Sequence, residues 1–211
     1  MSDTPSSSTY ATAHQLSITD PDAFWLQVAR DEIEWTTPPT QAVDGTEAPF
    51  YRWFPDGELN TSYNAIDRHV AAGRGDQPAY IWDSAVTGVT ETITYSQLLE
   101  QVSAFAGALA AEGVGKGDRV VIYMPMVPRA AIAMLACARL GAVHSVVFGG
   151  FAAPELAIRI DDARPKVIVT SHGGIEPTRK VPYFPMVTKA LELTSHTPAT
   201  VIVAPRHDQF P

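Results

Sequence analysis

Between residues 92 and 204 the apolar positions switch repeatedly between a helical and a strand period. Thr94 to Gln97 has the form of a capping box, and Leu98, Val102, Phe105 and Leu109 follow at helical spacing up to Gly113. The strand "RVVIY" (119–123) comes next, and Pro128 then opens a helix through Ile132, Leu135 and Leu140 that Gly141 stops. The strand "VHSVV" (143–147), a helix from Pro154 to Ala163, the strand "KVIVT" (166–170), a helix over about 184–194 and the strand "TVIVA" (200–204) complete the series. Almost wholly apolar, β-branched strands separated by helices are buried on both faces. The pattern predicts an α/β fold: a mainly parallel sheet flanked by helices and joined by right-handed crossovers.

Upstream the pattern is looser. Residues 1–14 are rich in Ser and Thr and read as a disordered tail, without the charged and apolar regions of a secretory signal. Residues 15–90 read as an irregular, aromatic arm. It opens with a helix that has Asp20 as N-cap and Pro21 in first position, with Phe24, Val28, Ala29 and Ile33 as its apolar stripe. "TTPPT", "WFPDGELN" and "GRGDQPAY" are turn-rich, and all four tryptophans (25, 35, 53, 82) fall in this zone, which suggests an arm pinned by aromatic burial. Residues 91–211 read as the α/β subdomain, with truncation at its C-terminal end expected because "RHDQFP" follows a strand with no closing helix.

Composition narrows the picture. Hydrophobic residues make up 45% and charged residues 18%, as in globular proteins. The apolar run "AAIAMLACA" (130–138) is far too short to span a bilayer. The lone Cys137 sits inside that run, reads as a small buried hydrophobe, and points to a reducing, cytoplasmic location. Of the net charge of −8, residues 1–50 hold −7, from eight acids against Arg30. No basic field for nucleic acid is present; only residues 159–189, with six bases and three acids, offer charge to a small polyanion.

Two strand-to-helix corners are candidate sites. "GVGKGDRV" is not one of them, because a helix precedes it and a strand follows, the reverse of a phosphate loop. "FGGFAAPE" (148–155) lies at the carboxyl end of a parallel strand, where open α/β sheets gather ligands. Gly149 and Gly150 serve either a tight turn or the close approach of a ligand. "SHGGIEPTRKVPY" (171–183) follows another strand and sets Arg179 and Lys180 before a helix, either as a phosphate partner or as ordinary surface charge. The six histidines show no metal spacing, and His144 reads as a satisfied core group. Asp161 and Asp162 read as capping or solvating a helix end.

Long stretches carry a family resemblance: "FW" at 24–25, "WFPDGELNTSYNAIDRHV" at 53–70, "ITYSQLLEQV" at 93–102 and "GDRVVIYMPMVPRAAIAMLACARLGAVHSVVFGGF" at 117–151. Over about residues 15–204 the chain resembles the N-terminal part of the AMP-forming short-chain acyl-CoA synthetases, the acetyl-CoA and propionyl-CoA synthetases. "GIEPTRKVPY" (174–183) looks more like the propionate enzymes. The acetate enzymes usually carry a second arginine where this chain has Glu176.

The resemblance implies a two-step ligase. A carboxylate attacks the α-phosphate of ATP, giving an acyl-adenylate and pyrophosphate, and the thiol of coenzyme A then displaces AMP, with Mg²⁺ offsetting phosphate charge. It implies backbone contacts to coenzyme A from Phe148, Gly149 and Gly150, and a nucleotide-phosphate contact from Arg179, with Glu176, Pro177 and Thr178 in the same loop. The family's phosphate loop, its adenine and Mg²⁺ segments and its C-terminal lysine have no counterpart here. The expectation is therefore an inactive N-terminal fragment with no catalytic residue, no metal site and no tightly bound cofactor. Its partners would be short carboxylate, ATP, coenzyme A and the rest of its own chain, not nucleic acid or membrane. The alternative is a stand-alone coenzyme A- or nucleotide-binding module without catalysis.

Overall fold

The computed structural model describes residues 7–206, which divide into two units, one up to Asn60 and one from Thr61 onward. In the first unit α1 (Ser7–Thr19) covers residues 7–14, where the sequence suggests a disordered tail. The hydroxyls of Ser17 and Thr19 donate to the carbonyls of His14 and Gln15, so the polar side chains are satisfied within a helix. Residues 1–6 lie outside the described residues.

Helix α2 (Pro21–Glu32) starts as expected, with Asp20 Oδ1 accepting from the Ala23 amide at 3.1 Å. Asp22 reaches across to accept from the Ala42 and Val43 amides, at 3.0 and 3.2 Å. That bond anchors a two-residue antiparallel ladder of β1 (Val43–Asp44) and β2 (Arg52–Trp53). Trp25, Trp53, Phe54 and Trp35 form a chain of ring contacts with centroids 5.5–6.1 Å apart. Trp25 and Trp53 nonetheless stay half exposed, less buried than the tryptophan-rich sequence suggests.

The second unit reaches further upstream than the boundary near residue 90. Two π-helical turns follow, Tyr63–Asp67 and Val70–Arg74, the second of them kinked at Gly73, where φ is 77°. The Arg139 guanidinium grips the Asp67 carboxylate with two bonds of 2.8 and 2.9 Å. An antiparallel hairpin of β3 (Pro78–Ser84) and β4 (Val89–Thr94) follows, in a stretch whose Gly and Pro residues read as irregular. The Trp82 indole donates to the Met126 carbonyl at 2.9 Å, which ties this hairpin to the α/β part.

From there the alternation is as expected: α3 (Tyr95–Ala111), β5 (Arg119–Tyr123), α4 (Pro128–Leu140), β6 (Val143–Val146), α5 (Ala153–Ala163) and β7 (Val167–Ser171). A small hairpin, β8 (Gly174–Ile175) with β9 (Lys180–Val181), precedes α6 (Tyr183–Leu191) and β10 (Thr200–Ala204). Both bonds of the Thr94–Gln97 capping box are present, at 2.9 and 3.3 Å. Gly113 and Gly117 have left-handed φ values of 79° and 82°, which suits a helix end and a turn and not a phosphate cradle.

β10, β7, β5 and β6 lie side by side in that order, all parallel. One face, with Val120, Ile122, Val167 and Val169, packs on Leu98, Val102 and Leu109 of α3 and Ile132 and Ala133 of α4. The other face, with Val121, Tyr123 and Ile168, packs on Leu156 and Ile160 of α5 and Val187 of α6. The result is three layers, with helices covering both faces of the sheet.

β6 corrects the expectation of strands buried on both faces. It is one of the sheet's two edge strands, and Val143, His144 and Val146 are exposed. His144 is therefore a surface residue and not a core one. Asp161 is also assigned differently: its Oδ1 takes the Thr194 hydroxyl, the Ser195 amide and hydroxyl at 2.8 and 3.0 Å, and the His196 amide at 3.0 Å. It fastens α5 to the turn before β10 instead of solvating a helix end. Its carboxyl is held below the ordinary 3.8, chiefly by the Thr194 hydroxyl. His207 lies outside the described residues.

Candidate functional site

The carboxyl ends of β5 and β6 meet the hairpin tip at Ser84–Thr87 and the β7–α6 connection around a cavity of about 520 Å³. Its lining is mainly apolar and includes Trp82, Met126, Val147, Phe148, Gly149, Gly150, Gly174, Glu176, Tyr183 and Arg206. Glu176 and Arg206 are the charged side chains on it. Parallel strands ending together leave such a crevice because each chain departs toward a different helix.

The double-glycine corner is not there to permit an unusual turn. Neither Gly149 nor Gly150 has a φ in the left-handed region. What Gly149 supplies is space: a Cβ there would collide with the Tyr183 hydroxyl and lie 2.7 Å from Cζ of the same ring. Gly174 is tight against the same ring, with its missing Cβ 2.8 Å from Tyr183 Cε2. At Gly150 the near neighbour is the Phe148 ring, at 2.6 Å. Phe148 is 72% exposed and free to turn aside.

The corner is held from below by Tyr123, whose hydroxyl donates to the Phe151 carbonyl at 2.7 Å. Burial pushes that phenol up to about 12, so it remains a donor at any working pH. The Phe151 ring lies at 4.2 Å under the Arg159 guanidinium. The Thr170 hydroxyl donates to the Tyr123 carbonyl at 2.8 Å, linking the ends of β5 and β7.

The residues singled out in the sequence divide into two groups. Phe148, Gly149, Gly150 and Glu176 line the cavity. Pro177, Thr178 and Arg179 sit on the connection between β8 and β9, outside that lining. Arg179 is 68% exposed in its side chain, and its Nε donates to Glu176 at 2.7 Å. Lys166 is likewise engaged, with Asp118 at 2.7 Å and the Gly113 carbonyl at 2.9 Å. The local basic excess is thus partly neutralised.

Sequence reasoning missed Tyr183, Trp82 and Arg206. No periodic signal marks them, because Trp82 reaches the cavity from β3, Tyr183 from the start of α6 and Arg206 from the chain after β10. Among the described residues no group of three or more His, Cys, Asp or Glu is placed to hold a metal ion. No helix among them is long and apolar enough to cross a membrane.

A crevice at the carboxyl end of a parallel sheet, under a glycine corner, is the setting of a nucleotide- or cofactor-using α/β enzyme. Residues 67–209 match the AMP-binding enzyme family, and the chain belongs to it. Residues 10–65 match the acetyl-coenzyme A synthetase N-terminus. The chain is 50% identical over 198 residues to human mitochondrial acyl-CoA synthetase short-chain family member 3, covering 94% of this chain and 29% of that protein. It is 51% identical over 174 residues to the acetyl-coenzyme A synthetase of Thiobacillus denitrificans, covering 82% and 26%. An uncharacterized Pseudomonas aeruginosa protein is 55% identical over 195 residues, covering 92% and 31%. The chain therefore spans between 26% and 31% of the length of these relatives.

Proposed function

We propose that this chain is the N-terminal part of an acid–thiol ligase, which activates a short carboxylate with ATP and passes the acyl group to coenzyme A. We assign the cavity beneath Gly149 to the thiol-bearing arm of coenzyme A. The observation that carries this reading is the apolar crevice itself: a hollow of about 520 Å³ with glycine backbone on one wall. An uncharged, flexible arm fits such a lining, whereas a polyphosphate does not.

Arg179 then stands outside the hollow, on the side where the nucleotide end would lie, and takes a phosphate there by exchanging its Glu176 partner for it. Glu176, in place of a second arginine, supports propionate over acetate. Adenylation and Mg²⁺ binding are assigned to parts of the protein other than the described residues, and the chain alone makes no acyl-adenylate. A cytoplasmic location rests on the lone buried Cys137, whose thiol burial pushes up to about 11.

Calorimetric titration of the chain with coenzyme A, with and without AMP, tests this reading. Binding that AMP does not displace is expected. Displacement by AMP, or no binding of coenzyme A, sinks it. Acid-dependent pyrophosphate release from the pure chain would overturn the assignment of adenylation elsewhere.

A further inference from the structure

Tyr183 is the first residue of α6, directly after the N-cap Pro182, and is 7% exposed. It lies in a slot that two glycines leave open, Gly149 on one strand end and Gly174 on another. The Tyr123 ring backs it at a centroid distance of 4.9 Å. Its own backbone is pinned, since the amides of Tyr183 and Phe184 both donate to the His172 carbonyl, at 3.2 and 3.4 Å. A large aromatic side chain is thus fixed in a lining that is otherwise mostly apolar.

The hydroxyl at its tip makes no hydrogen bond among the described residues, although the ring is more than nine-tenths buried. Its oxygen is not among the fully buried, unpartnered side-chain atoms, so it is open to the cavity and its donor is left for water or a ligand there. Tyr123, its neighbour, shows the usual outcome, with a carbonyl 2.7 Å away. Here Tyr183 itself lines the cavity.

We propose that Tyr183 is a ligand-contacting residue, whose hydroxyl donates a hydrogen bond to an amide carbonyl of the uncharged, amide-bearing arm that occupies this cavity. The inference rests on the ligase reading above and adds to it a residue and an atom. Burial, reinforced by the negative charge of Glu176 and opposed by Arg206, holds the phenol above its ordinary value of 10.0, so it stays a donor through neutral and mildly alkaline pH. A donor suits an amide carbonyl. The glycines, in turn, exist to seat this side chain.

The test compares the chain with its Tyr183→Phe variant, which keeps the ring and removes only the hydroxyl. Binding of coenzyme A and of pantetheine is expected to weaken by the same factor, roughly three- to ten-fold. Binding of adenosine 3′,5′-bisphosphate, which lacks the arm, is expected to stay unchanged, as is the melting temperature. Equal binding of coenzyme A by both proteins overturns the proposal while leaving the ligase reading intact. A loss seen with the bisphosphate, or a marked fall in melting temperature, also overturns it, because the hydroxyl then serves the nucleotide end or the fold. If the unaltered chain binds neither coenzyme A nor pantetheine, both readings fall together.

Discussion

β7 and β6 belong to one parallel sheet, and both are short and built largely from valine and other β-branched or small residues. Every residue of β7 is buried, whereas β6 leaves Val143, His144 and Val146 open. The difference is position: β7 pairs on both sides, with β10 and β5, and β6 pairs with β5 alone. Apolar composition reports that a strand is able to be buried. The neighbours decide how much of that capacity is used. This edge strand is also the one that runs straight into the glycine corner, so that wall of the cavity grows from the least enclosed strand of the four-stranded sheet.

The sharpest way to break this comparison is a matched pair of truncations. Ile168→Ala on β7, where the side chain is 0% exposed, should cost about 3–4 kcal/mol and move the urea midpoint far down. Val146→Ala on β6, 52% exposed, should stay within about 0.5 kcal/mol. Similar losses at both sites would mean that β6 is covered in solution.

A smaller effect is expected at the corner. Gly149→Ala forces its new methyl against the Tyr183 ring and should destabilise by about 1–3 kcal/mol, as overpacking does. The same substitution in a Tyr183→Leu background should cost clearly less, since the colliding ring atoms are gone. An unreduced cost in that background would show that Gly149 is needed for the backbone itself. Gly150→Ala meets only the exposed Phe148 ring and should be milder.

The smallest effect concerns the other edge strand, β10, whose approach Asp161 secures. Its carboxyl is depressed below 3.8 in the folded chain, so its contribution is present above that value and fades as pH falls through the lower folded value. Asp161→Asn should therefore be less stable than the unaltered chain at neutral pH, with the gap closing in acid. Thermal melts from pH 7 down to pH 2 read this directly. A gap independent of pH would assign the stabilisation to shape and not to charge.

Much of the α/β unit was legible because its signals are short-range. The Thr94–Gln97 box, Pro128 opening α4 and Gly141 in a left-handed cap act over a turn or less. The hairpin over 78–94 was not legible, because its stability comes from pairing two strands and from Trp82 reaching Met126, neither of which a local composition reports. The glycine corner was legible as a place, but its reason was not: both a turn and a ligand approach fit the letters "FGGF", and the ring that occupies the space lies far along the chain.

By itself, the sequence determined the alternation of the main helices and sheet strands between residues 94 and 204, the apolar sides that most of them could bury, several of the caps that start and stop them, and the family to which they belong. Only the tertiary structure decided which strands became the edges, that Trp82 reaches Met126, and that Gly149 and Gly174 make room for Tyr183. The physical reason is range: periodicity and capping act between near neighbours, whereas edge position, an indole bonded to a carbonyl 44 residues away and a ring seated between two glycines exist only once distant segments have packed.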